Sequence, residues 1–202
     1  KGELPLVIGC GPVGLAVISA LKQLGIGPII AVDYSVKRRH LALLMGADEA
    51  IDPSKNSPYE SWMAMAKNDV NGNSMPIEPF SGQTFREGVF FECVGVPGVI
   101  DQIMAGAPRN CRIVVVGVCM ESDQIRPLVG INKELNLQFV LGYKPEEFAE
   151  TLHNIAEGYV DVAPLITATV GLDGVAQAFE DLANPELHAK ILVDPTLVND
   201  KH

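Results

Sequence analysis

The chain is 202 residues long, 48% hydrophobic and 20% charged, a composition that suits one large domain or two small ones and argues against a disordered chain. Fifteen Lys and Arg stand against 25 Asp and Glu for a net charge of −10, which argues against nucleic-acid partners and polybasic membrane-surface binding. No apolar run approaches the roughly 20 residues of a membrane-spanning helix.

The chain opens on Lys1-Gly2-Glu3-Leu4, with neither an initiating Met nor a signal peptide's apolar stretch, and reads as the start of an excised domain or processed product. The run LPLVIG at 4–9 is the first expected strand, and GCGPVG at 9–14 turns the chain. Val17, Ile18, Leu21 and Leu24 then share one helical face, with Gly25 as the stop. IIAV at 29–32 is the next strand, ending on Asp33, and a helix over 38–45 carries Leu41, Leu44 and Met45 on one face. A short strand over 49–51 follows. Residues 59–67 have helical spacing, whereas 68–82 is turn-rich and polar, a surface excursion longer than a crossover needs.

VFFEC at 89–93 resumes the sheet, 99–104 is a short helix, and IVVVG at 113–117 is a buried strand. LQFVL at 137–141 is another. Pro145 opens a helix with Glu146 and Glu147 at its positive end and Phe148, Leu152 and Ile155 on one face. Val175, Phe179 and Leu182 mark a last helix capped by Asp173, and KILV at 190–193 is the closing strand. Alternating strands and helices with no composition break predict one α/β domain over 1–202, a Rossmann-type doubly wound parallel sheet of about six to seven strands with helices on both faces. The cysteines, Cys10, Cys93, Cys111 and Cys119, lie beside or within apolar runs without Cys-x-x-Cys or zinc-finger spacing. They read as four buried free thiols in a reducing cytosol.

The chemistry concentrates at GCGPVG. Gly9 permits a tight turn, Gly11 lets backbone approach a pyrophosphate, and Gly14 lets the helix pack closely on the strand. The helix N-terminus offers free N–H groups and partial positive charge. Strand before and helix after turn a weak pattern into a dinucleotide site. Asp33 lies 19 residues beyond Gly14, where a carboxylate can bind both ribose hydroxyls and disfavour the 2′-phosphate of NADP. It could instead cap the helix that follows. Lys37, Arg38 and Arg39 could shield a 2′-phosphate, so acceptance of NADP stays open; Arg38 can lie over the adenosine or belong to a solvated helix face. Val94-Gly95-Val96 and Gly117-Val118 follow two further strands and leave room for a flat ring, or are ordinary strand ends.

The series IGCGPVGL, VD, LLMGADEAID, FECVG, IVVVGV, KELNLQFVLGY, PLIT and KILV resembles the medium-chain dehydrogenase/reductase superfamily, in particular the coenzyme domain of zinc-type alcohol, polyol and threonine dehydrogenases. The resemblance is collinear over nearly the whole chain and departs at 68–82. It implies that Gly9, Gly11, Pro12, Val13 and Gly14 hold the pyrophosphate, Asp33 the ribose, and Arg38 the neighbourhood of the adenosine. It places Val94 and Gly95 on the adenosine-ribose side, Val116, Gly117 and Val118 on the nicotinamide side, and Leu141 and Gly142 against the carboxamide. It further implies an NAD-dependent oxidoreductase acting on an alcohol or carbonyl, with a homodimer formed through the strand at 137–141. Its catalytic zinc would be held by a separate preceding domain, and the present chain alone would bind coenzyme without turnover.

His40, His153, His188 and His202 are scattered, so no metal site is expected here, and no catalytic residue is assigned. There is no Tyr-x-x-x-Lys pair: Tyr34 is followed four on by Arg38, and Tyr59 by Met63. Two alternatives share the same turn and acid: a stand-alone nucleotide-sensing module without catalysis, and a methyltransferase. The latter is disfavoured by the spacing of the turn and by the long region after the sheet.

Overall fold

The apolar run at the chain's start forms strand β1 (Leu4–Ile8), which leads through the glycine turn into helix α1 (Pro12–Gln23). The computed structural model describes residues 2–68, 74–76 and 84–197. Strand β2 (Ile30–Val32), helix α2 (Val36–Leu44), strand β3 (Glu49–Ile51) and helix α3 (Pro58–Asn68) complete the first half. Strands β4 (Ser74–Pro76) and β5 (Thr84–Arg86) pair antiparallel as a small separate ribbon. The second half runs through strand β6 (Gly88–Glu92), helix α4 (Val99–Gly106), strand β7 (Arg112–Val115), helix α5 (Pro127–Lys133) and strand β8 (Asn136–Phe139). Helix α6 (Pro145–Ala156), strand β9 (Ile166–Val170), helix α7 (Val175–Leu182) and strand β10 (Lys190–Val193) follow.

Among the described residues the main sheet has six strands in the order β3-β2-β1-β6-β7-β8, every neighbour parallel. The order reverses between β1 and β6, and in such sheets ligands bind in the crevice beyond the carboxyl ends at that reversal. Both faces are covered, and alternation along the strands sorts the core in two. Leu4, Leu6, Ile30, Val32, Phe90 and Ile113 pack with Trp62 and Phe85 on one face, while Val7, Ile29 and Ala31 pack with Leu15, Ile18, Leu41 and Met45 on the other. Trp62 is fully buried, edge-on to Phe85 and Phe90, and its indole N–H donates to the Leu4 carbonyl at 3.0 Å. The Arg86 guanidinium bonds the carbonyls of Gly2, Glu3 and Gly27, tying the amino-terminal side of the sheet.

The structure corrects several expectations. KILV does not close the main sheet; β10 pairs parallel with β9 in a separate two-stranded sheet. Helix α5 was unforeseen, because its seven residues are too few to show periodicity. Asp173 does not cap α7: it lies in a short 3-10 turn over Leu172–Gly174, and Gly174 occupies the cap position. Cys10, Cys93 and Cys111 are buried free thiols, but Cys119 is half-buried, its Sγ near the Glu121 carbonyl. The apolar face expected on the Pro145 helix is present in α6 but uncovered, with Phe148 56% and Leu152 59% exposed. The excursion expected over 68–82 lies largely outside the described residues. No helix among the described residues is long and apolar enough to cross a membrane.

Candidate coenzyme site

The cleft is built by three turns that follow β1, β6 and β7. Gly9 has φ +91°, and a Cβ there would lie 2.8 Å from Val94 Cγ2 and 3.1 Å from the Cys93 carbonyl, so only glycine permits that approach. At Gly14 a Cβ would sit on the Gly9 carbonyl, 3.0 Å from its carbon and nearer still to its oxygen. A Cβ on Gly117 would meet Gly95 N at 2.5 Å and Glu92 Oε2 at 2.6 Å. The turns are therefore interlocked, β1 with β6 through Gly9 and Val94, β6 with β7 through Gly95 and Gly117.

Gly11 is different: nothing lies within 4 Å of where its Cβ would be. It faces open space at the N-terminus of α1, where Pro12 takes the first helical position and no side chain caps the turn. The first bond of the helix joins Leu15 N–H to the Gly11 carbonyl, so the Val13 and Gly14 amides ahead of it have no side-chain acceptor. That is a cradle with free donors and partial positive charge, which suits a pyrophosphate.

Asp33 lies across this turn. Its Oδ2 accepts from Cys10 N at 2.8 Å and its Oδ1 from Ser35 N at 2.8 Å, while each oxygen keeps a lone pair for a ribose hydroxyl. Asp33 does not cap α2; Ser35 does, its Oγ accepting from Arg38 N at 3.0 Å. Two of the three neighbouring cations are engaged. Arg39 donates to the Asp33 and Tyr34 carbonyls and pairs with Asp52 at 3.2 Å. Lys37 Nζ bonds the Leu187 carbonyl. Arg38, in the first turn of α2, keeps a buried Nε with no partner.

On the other side, Val94 and Val118 are exposed by 43% and 69%, giving the cleft apolar lips beside Gly95, Val116 and Gly117. Leu141 and Gly142 follow the edge strand β8, which pairs with β7, and Leu141 is 95% exposed. Two residues were missed at the sequence level. Glu92 is 1% exposed, and its Oε1 accepts from Val94 N at 2.6 Å and Gly95 N at 2.8 Å, pinning the β6 turn. A charged residue ending an apolar strand was the available signal. Lys190 lines a hollow of about 270 Å³ with Pro12, Leu165 and Ala189; nothing in its local sequence set it apart.

Desolvation by burial raises the Cys10 and Cys93 thiols to about 12; with Asp33 and Glu92 also disfavouring their thiolates, they act here as packing groups. Among the described residues no group of three or more His, Cys, Asp or Glu is placed to hold a metal ion.

An open parallel sheet whose order reverses over a glycine-lined helix N-terminus, with a carboxylate closing the next strand, defines a Rossmann-type α/β domain. A family model described as zinc-binding dehydrogenase matches residues 12–157, and the chain belongs to that family, as the C-terminal domain of a zinc-type medium-chain dehydrogenase. It is 30% identical over 195 residues to the (R,R)-butanediol dehydrogenase of Bacillus subtilis, covering 96% of this chain and 51% of that protein. The crystal structure of 2R,3R-butanediol dehydrogenase from Bacillus subtilis superposes with a TM-score of 0.75 at 30% identity, over 97% of this chain and 52% of that one. L-idonate 5-dehydrogenase from Escherichia coli, at 23% identity, shares the fold with a TM-score of 0.76 over 96% of this chain and 50% of the other. The chain thus spans about half the length of the relatives it matches.

Proposed function

We propose that this chain is the NAD(H)-binding domain of a zinc-type, alcohol dehydrogenase-like oxidoreductase, and that it positions the nicotinamide for hydride transfer to or from an alcohol or carbonyl carbon. The carrying observation is the Asp33 carboxylate, fixed by Cys10 N at 2.8 Å between the glycine turn and the end of β2. In this reading the Gly9, Gly11, Pro12, Val13 and Gly14 backbone receives the pyrophosphate, and Asp33 takes the ribose diol with Arg38 beside the adenosine. Val94 and Gly95 flank the ribose. Val116, Gly117 and Val118 form the nicotinamide wall, and Leu141 and Gly142 meet the carboxamide. The coenzyme, when bound, supplies hydride acceptance or donation; the residues named here bind, orient and exclude water.

No described set of side chains fits a zinc ion, so the reading assigns the catalytic metal to residues outside those described. It also carries a cytoplasmic location and a homodimer paired through β8, an edge strand that leaves Phe139 67% exposed. An apolar edge of this kind invites strand pairing. Titration with NADH, followed by energy transfer from Trp62, tests the site. Saturable binding below millimolar coenzyme is expected, without alcohol oxidation by these 202 residues. No saturation at millimolar NADH would refute the site, and zinc-independent turnover would refute the assignment of catalysis to other residues.

A further inference from the structure

The N-terminus of α2 sits beside that of α1, at the carboxyl end of the neighbouring strand, and it is already filled. Glu186, from the segment between α7 and β10, reaches it from about 150 positions away. Its Oε1 accepts from Val36 N at 3.0 Å and its Oε2 from Lys37 N at 3.2 Å. With Ser35 Oγ on Arg38 N and Asp33 Oδ1 on Ser35 N, four consecutive amides are claimed by acceptors of the chain itself. We propose that Glu186 is a coenzyme-specificity residue: its carboxylate holds the place at the start of α2 that a ribose 2′-phosphate would need, and so excludes NADP(H).

The proposal rests on the reading of Asp33 as the ribose ligand. A 2′-phosphate on that ribose would carry a charge of about −1.5 to −2 at neutral pH into a position flanked by two carboxylates, Asp33 and Glu186, bound to adjacent amides. It would find no free amide among residues 35–38. Lys37 holds the Leu187 carbonyl and Arg39 pairs with Asp52, so of the three neighbouring cations Arg38, whose Nε has no partner, would face that charge with two carboxylates opposing it.

The segment carrying Glu186 is itself anchored there. Ser35 Oγ donates to the Pro185 carbonyl at 3.3 Å, and Glu186 N donates to Asn184 Oδ1 at 3.0 Å. Glu186 therefore sits as a fixed anion, the intramolecular counterpart of a phosphate at a helix N-terminus. This adds a second, long-range determinant to the strand-end Asp33.

The test is the ratio of NADPH to NADH dissociation constants, by fluorescence titration of the wild-type chain and of Glu186→Gln, Glu186→Ser and Glu186→Asp. Gln keeps an acceptor at the helix end and removes the charge; Ser removes the charge and is too short to reach the amides; Asp keeps the charge. The ratio is expected to fall at least tenfold in the first two and to hold within about threefold in the third. Either neutral variant that folds suffices, with a thermal melt as the check. An unchanged ratio in a folded neutral variant that still binds NADH overturns the proposal and leaves the NAD site standing. Equal weakening of both coenzymes makes Glu186 a structural cap and also overturns it. If the wild type binds neither coenzyme, the underlying reading fails instead.

Discussion

Gly11 and Gly14 lie three positions apart in one turn, yet the structure gives them separable jobs, and alanine at each distinguishes them. In Gly14→Ala the new methyl falls on the Gly9 carbonyl, 3.0 Å from its carbon and closer to its oxygen. The obstacle is backbone, not the end of a flexible side chain, so the α1 N-terminus must shift off β1. Overpacking costs about 1–3 kcal/mol, and this site belongs at the top of that range. At about 2–4 °C per kcal/mol for a chain of this size, the melting temperature should fall by roughly 6–12 °C. In Gly11→Ala nothing lies within 4 Å of the methyl, and the backbone there has φ −70°. Loss of the glycine preference at a helix cap costs about 0.5–1 kcal/mol, and the stiffer unfolded chain returns about 0.4–1 kcal/mol, so stability should stay within about 0.5 kcal/mol of wild type. The methyl does enter the cradle, and NADH affinity should drop tenfold or more, equivalent to about 1.4 kcal/mol. Urea unfolding monitored through Trp62, paired with NADH titration, reads both. A Gly14→Ala chain as stable as wild type, or a Gly11→Ala chain that binds NADH normally, would refute the reasoning.

Other substitutions and conditions give equally definite expectations. Glu92→Ala strands the Val94 and Gly95 amides, each now bonded to Oε1, at about 1–3 kcal/mol apiece; Glu92→Gln keeps an oxygen acceptor and should lose under 1 kcal/mol, so equal damage in urea melts would contradict the assigned role. With a disulfide reagent at pH 8, Cys119 should react rapidly, whereas Cys10 and Cys93, pushed up to about 12 by burial, should label only on unfolding. Their thiols stay protonated in the fold above the unfolded value near 9, so the associated stability is complete below pH 9 and is lost as pH rises towards 12. The carboxyls of Glu186, held low chiefly by the Ser35 hydroxyl, and of Asp101, held low chiefly by Arg126, behave oppositely. Their contribution is present above the ordinary carboxylate range and is lost as pH falls through it, so the urea midpoint should be flat from pH 5 to 7 and drop below about pH 4.

The parts of the site that could be read from sequence are those whose constraints are local. Strand, glycine turn, helix, next strand and Asp33 occupy one continuous stretch, and Gly9 and Gly14 answer requirements set within that stretch or by the turn after β6. β9 is harder: ITATV alternates apolar Ile166, Ala168 and Val170 with Thr167 and Thr169, a half-buried pattern only five residues long and without the continuous apolar run that makes a buried strand stand out. Without β9 as a partner, the apolar KILV run was assigned to the main sheet. Glu186 was illegible for a stronger reason. Its partners lie about 150 residues upstream, its neighbours Asn184, Pro185 and Leu187 signal only a turn, and an exposed Glu there is what any solvated loop would carry. Only the folded path from α7 to β10 brings it to the start of α2.

The chain's net charge of −10 then poses a question that the two helix ends resolve. A distributed negative charge repels an anionic dinucleotide, but at physiological salt it is screened beyond about 8 Å. A helix terminus acts within its own first turn, well inside that length, so attraction can be confined to one spot on a repulsive surface. β1 and β2 are adjacent and parallel, and each delivers a helix N-terminus to the same edge of the sheet. One is left open: Pro12 spends the position that needs no donor, and Gly11 faces empty space. The other is closed by Ser35 and Glu186. In the proposed complex, phosphate is directed to α1 because α2 has no donors left, and the uncharged ribose diol is the group that Asp33 between them can accept. Specificity here comes from which helix end the fold leaves unsatisfied, a quantity that net charge does not register and that the contact from Glu186 decides.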